Sequence, residues 1–131
     1  MAARKSIWLT AGLIVLCAAA AAQQSTERYV PIGKSPGVSG SQSIIGEITA
    51  VDSAARTLTV KGQDSERTFR MTEDTRIWLD RSSWKRTNLV GTFYDCIVGR
   101  DAEVMYPKDD MATAHWVKVK ARELHEPGNA G

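Results

Sequence analysis

The stretch RIWLDRSSWKR, Arg76 to Arg86, holds four cations, Arg76, Arg81, Lys85 and Arg86, against the single carboxylate of Asp80, with Trp78 and Trp84 set between them. Cationic groups that alternate with flat aromatic faces hold anionic or ring-shaped ligands, through charge-assisted hydrogen bonds and through stacking. A plainer reading makes Trp84 a lid over the end of a small barrel and the charges a solvated rim. The two readings part at Trp84, which is buried in the second and displayed in the first.

Two other groupings bear on chemistry. Met105, Met111 and His115 lie in the two arms of one expected hairpin, and thioethers with an imidazole suit Cu(I). The competing reading is packing for the methionines and an ordinary strand position for His115. For catalysis the inventory is thin: His115 and His125 are the only histidines, and no Ser or Cys stands in a nucleophile setting such as G-x-S-x-G. The acidic pairs Glu73 with Asp74 and Asp109 with Asp110 fall in expected turns, where carboxylates cap the backbone. The sequence thus predicts no enzyme and no cofactor.

Charge and address narrow the classes further. The chain has 17 Lys and Arg against 15 Asp and Glu, and Arg4 and Lys5 lie in a segment that reads as a secretory leader. Removing it leaves 15 against 15, so bulk attraction to nucleic-acid phosphates is not expected. Residues 1–22 carry the basic start, the apolar stretch Ile7 to Leu16 and the small residues Ala20 and Ala22 that a signal peptidase requires, which predicts cleavage after Ala22. Ile7 to Ala22 is 16 residues, short of the ~20 needed to span a bilayer, so no membrane span is expected once the leader is gone. The expected location is periplasmic or extracellular. Cys17 offers a lipoprotein alternative, with Leu16 in place of the small residue that the lipoprotein cut prefers. With Cys17 removed, Cys96 has no partner for an intramolecular disulfide and is expected to be a buried thiol, packed among Phe93, Tyr94, Ile97 and Val98, with an intermolecular bridge as the alternative.

The elements that must position these residues follow from composition and period. Residues 23–43 hold five Ser, three Gly and two Pro in 21 residues and read as a flexible tether. From Ile44 the texture is short β runs: Ile44 to Val51, Thr57 to Lys61, a third around Phe69 and Met71, Arg76 to Asp80, Ala102 to Tyr106, and a long Thr113 to Ala121 with room for a bulge. Between the fourth and fifth, Leu89, Val90, Phe93, Tyr94 and Ile97 recur at three- and four-residue spacing, predicting a short helix over Thr87 to Asp95 capped by Thr87 or Asn88. The expected architecture is mainly β: a small OB-like antiparallel barrel of five or six strands over residues 44–124, with one short helix and a frayed tail over 125–131.

The runs GEITAVDSAARTLTV (Gly46 to Val60), TEDTRIWLD (Thr72 to Asp80), Leu89 and VGRDAEVMY (Val98 to Tyr106) resemble an exported bacterial β-barrel family, domain-of-unknown-function family 5666. That resemblance implies an OB-like barrel in the cell envelope and brings no catalytic residues or agreed ligand. The chain departs from the family by the longer, more aromatic connector Arg81 to Cys96. The first two strands faintly resemble the copper-chaperone barrel of metal efflux systems, where a Met-x-Met pair would stand, yet here only Met71 occupies the comparable stretch. Together these observations predict an exported binding module that contacts an anionic polysaccharide or other envelope component through the basic and aromatic residues of 76–86. The alternative is a periplasmic copper-binding protein.

Overall fold

A computed structural model describes residues 27–37 and 40–122. The leader with Cys17, the tail over 125–131 with His125, and residues 23–26 and 38–39 of the expected tether lie outside the described residues. Seven strands form one sheet: β1 (Ser41–Asp52), β2 (Thr57–Lys61), β3 (Glu66–Arg70), β4 (Arg76–Asp80), β5 (Leu89–Val90), β6 (Asp101–Pro107) and β7 (Trp116–Lys120), in the order β3-β2-β1-β6-β7-β4-β5.

The first three strands form a meander that local chemistry specifies. Asp52 Oδ1 accepts the N–H groups of Ala54 and Ala55, and Arg56 turns the chain with φ of 54°. A second turn closes where Gly62 N–H donates to Ser65 O. β1 is long because it serves two neighbours, pairing with β6 over Ser41 to Glu47 and with β2 over Glu47 to Asp52. At the changeover stands Gly46, where a Cβ would collide with the Lys61 carbonyl, and a bulge between Ile48 and Ala50 completes the bend.

The mainly β expectation holds, and the OB-like antiparallel barrel is corrected. β4 runs parallel to β7, from Arg76 opposite Trp116 to Asp80 opposite Lys120, so the sheet is mixed and does not close. The reason is competition for an edge. β7 has β6 on one side and β4 on the other, which leaves β3 only the residue ahead of β7: Arg70 bridges Thr113, with Arg70 N–H donating to Ala112 O and Ala114 N–H to Arg70 O.

The expected helix over Thr87 to Asp95 is also corrected. Leu89 and Val90 pair with β4 instead, and only a 3-10 turn, Phe93–Asp95, follows. Thr92 begins that turn through a capping box with Asp95. Gly91 is packed too tightly for a helix side chain: a Cβ there would lie 2.9 Å from Asp95 Oδ2 and 3.2 Å from Ile77 Cγ2. Of the five apolar residues that suggested a helix, Val90, Tyr94 and Ile97 are exposed.

Alternation along the strands sorts the sheet into two buried faces. The inner one carries the apolar core: Ile48, Leu58, Val60, Phe69, Val104, Val117 and Val119 are all fully buried, with the Phe69 and Tyr106 rings 5.2 Å apart. The outer face of β4, β6 and β7 presents Trp78, Asp80, Glu103, Met105, Trp116 and Lys118, and these are buried too. Residues 27–37 lie across it. The Ile32 and Gly33 N–H groups donate to Asp80 Oδ2 and Glu103 Oε1, and Lys118 Nζ meets Glu27 Oε2 at 2.6 Å and Ser35 Oγ at 2.9 Å. Hence the flexible-tether expectation is corrected for 27–37, which form a docked strap, and for 41–43, which belong to β1.

Candidate functional site

β4 ends at Asp80, and the chain then makes a 3-10 turn, Ser82–Trp84, before returning to β5. The turn is braced at three levels. Asp80 Oδ1 accepts the Ser82 N–H at 2.8 Å, as Asp does when it starts a turn. The Arg81 carbonyl accepts N–H groups from Trp84 and Arg86, and the Lys85 N–H closes onto Ser82 O. Arg81 then turns its side chain inward, its Nε donating to Thr87 O at 2.8 Å. Lys85 completes the reversal in the left-handed region, with φ of 56° and ψ of 36°.

This geometry divides the six residues singled out in the sequence. Trp84, Lys85 and Arg86 are exposed at the tip of the loop, Trp84 to 37%. Trp78 and Arg81 are buried, at 7% and 5%, so neither offers a free face to a ligand. The rim reading fails for Arg81, a cation spent inside the loop. Arg76 is exposed but stands at the other end of β4, roughly 13 Å away at ~3.3 Å per residue, where its N–H donates to His115 O. The lid reading of Trp84 is not met either, since the residue belongs to no part of the core cluster.

The three soft-metal candidates differ in exposure. Met105 is buried on the outer face of β6, Met111 is exposed in the turn beyond, and His115 is exposed ahead of β7, linked to Met105 only through its N–H on the Met105 carbonyl. Among the described residues no cluster of three or more His, Cys, Asp or Glu stands ready for a metal ion. His115 instead borders an open cleft of about 340 Å³ with Arg70, Thr72, Asp74, Asp110 and Thr113, at the seam where β3 meets the approach to β7. The sequence reading missed this cleft, because its residues come together only through the Arg70 and Thr113 bridge. Asp110 there acts as a turn residue, its Oδ1 accepting the Ala112 N–H, while the Asp74 backbone N–H donates to Thr72 Oγ1.

Cys96 is a free, buried thiol, and desolvation, aided by the neighbouring charge of Asp95 and opposed by Arg100, pushes its pKa up from 9.0 to about 12. Of the neighbours expected to bury it, only Phe93 is in the core, while Tyr94, Ile97 and Val98 face solvent. No helix among the described residues is long and apolar enough to cross a membrane. Set against protein-family models, curated proteins and solved structures, the chain has no match in any of the three.

Proposed function

We propose that this protein is an exported, non-catalytic β module that binds an anionic polysaccharide of the cell envelope through Trp84, Lys85 and Arg86. The observation that carries the reading is the bracing of the loop: a turn fixed by Asp80, Arg81 and its own backbone holds one indole and two cations outward. A surface whose rotamers and backbone are already ordered loses less entropy on binding than a floppy one, so a small contact suffices. An aromatic face supplies stacking on sugar rings, and flanking cations supply charge attraction to carboxylate or sulfate groups. The leader-like residues 1–22 support the exported address. In this reading the sheet is an opened relative of the OB arrangement, with its seam at Arg70 and Thr113, and the binding loop grows from the β4 edge that keeps the seam open.

The test is titration of the protein with alginate, followed by tryptophan fluorescence, with neutral dextran as control. Binding of alginate alone, weakening as salt rises and lost in Lys85→Ala with Arg86→Ala, is the expected result. Equal binding of dextran, or alginate binding indifferent to salt and to both substitutions, would remove the loop from the argument.

A further inference from the structure

The strap and the binding loop share their anchors. Asp80, at the start of the loop, gives one carboxylate oxygen to the loop at Ser82 N–H and the other to the strap at Ile32 N–H. Asn88, at the far end of the loop, is held to the strap by three hydrogen bonds. Its N–H donates to Arg28 O and its side-chain amide to the carbonyls of Glu27 and Val30, just after the chain has passed Thr87, the residue that holds Arg81. Both anchors are buried, and release of the strap takes from Asp80 Oδ2 and from the Asn88 N–H and amide the partners that hold them in place. The strap in turn is latched at Glu27 by the fully buried Lys118.

We infer that docking of the strap, residues 27–37, sets the order of the Trp84, Lys85 and Arg86 loop, so that strap release weakens ligand binding and a bound ligand holds the strap down. The inference rests on the loop being the binding surface, and it adds control by a segment that never touches the ligand. Because the two events are linked in free energy, the coupling runs both ways with the same factor. The strap also offers exposed protease sites at Arg28 and Lys34, so its removal is a route to a weaker-binding form.

Amide hydrogen exchange on the full chain reads the coupling without any ligand. In Glu27→Ala the amides of residues 28–35 should lose protection, and those of 82–86, whose bonds lie within the loop, should exchange about tenfold faster with them, within the usual range of allosteric couplings, while β2 and β3 stay as they were. Ile32→Pro removes the N–H that Asp80 accepts and alters no sheet residue; it gives the same readout should Glu27→Ala loosen the whole fold. Alginate, added to the wild type, should slow tryptic cleavage after Lys34, and both variants should bind it about tenfold more weakly. A strap that opens in both variants while the amides of 82–86 keep full protection would overturn the coupling, and so would a strap that stays protected in both. If the wild type binds no alginate, the proposed function falls, and the exchange of 82–86 still decides whether strap and loop move together.

Discussion

Glu27 and Lys118 are 91 residues apart in the chain, and their side chains meet at 2.6 Å on the outer face of the sheet. The Lys118 ammonium is fully buried, backed by the Trp116 ring at 4.7 Å and by Ser35 Oγ. Taking such a cation out of water is costly, and its carboxylate partner offsets that cost. Removing one partner should therefore hurt more than removing both. Glu27→Ala is expected to lower stability by about 3 kcal/mol, the low end for a broken buried pair because Glu27 keeps an edge in water. Glu27→Leu combined with Lys118→Met should return near wild-type stability. Urea midpoints of the two variants check this, and equal losses in both would mean the pair is not the latch.

Cys96 gives a prediction with a definite sign. Its thiol titrates at about 12 in the fold against 9.0 when free, so between those values the unfolded chain has lost the proton and the folded one has kept it. The unfolded state then binds fewer protons, and stability must fall as pH rises through that window. Below pH 9 the contribution is constant. The native protein should also resist thiol reagents at pH 8 and react once unfolded. Cys96→Ser, with its hydroxyl outside this range, should flatten the alkaline loss of stability, and prompt labelling of native protein would show the site to be open.

What the sequence made legible was whatever local chemistry decides. β2 and β4 fall at the bounds that alternation predicts, and Asp52 marks the first hairpin turn as its type suggests. Cys96 is buried as its apolar setting implied, although Tyr94 beside it is 85% exposed and lends nothing to that burial. The strap was not legible because it docks through main-chain groups onto Asp80, Glu103 and Asn88, contacts that leave no apolar period in residues 27–37. Along WVKVK, alternation puts Lys118 opposite Val117 and Val119, which ordinarily means toward water; only a distant segment covering that face makes it buried. Trp78, in the basic, aromatic stretch, lies on that same buried outer face. Alternation set Trp78 away from Ile77 and Leu79, and nothing local distinguishes a covered outer face from a solvated one.

Copper offers a direct check on the soft donors. A ligand present at 100 times its Kd stabilises a fold by about 2.7 kcal/mol, which is a visible rise in melting temperature. Met105 is buried on the outer face, while Met111 is exposed in the turn after β6 and His115 is exposed just ahead of β7, so Cu(I) is expected to produce no stoichiometric rise. A one-to-one shift that disappears in Met111→Ala and in His115→Ala would require the hairpin to rearrange around the metal.

The loop itself is best tested at Trp78, Trp84 and Lys85 together, because their environments differ while their chemistry overlaps. Trp78 is 7% exposed, and Trp78→Ala should cost about 3–5 kcal/mol, as deletion of a buried aromatic does. Trp84→Ala, at the exposed tip, should cost about 1 kcal/mol and abolish the fluorescence response to alginate. Lys85→Gly then separates backbone from charge. Lys85 sits at φ of 56°, where a side chain costs roughly 1–2 kcal/mol relative to the right-handed region. Glycine relieves that strain and gives back roughly 0.5–1 kcal/mol as extra freedom in the unfolded chain. The variant should thus be as stable as the wild type or about 0.5 kcal/mol more so, with the turn intact. If charge carries part of the binding, alginate affinity falls and its dependence on salt becomes shallower, by the contribution of one cation. Unchanged affinity in a stable, well-ordered Lys85→Gly would leave Trp84 and Arg86 to carry the contact, and unchanged affinity in Trp84→Ala as well would take the ligand away from this loop.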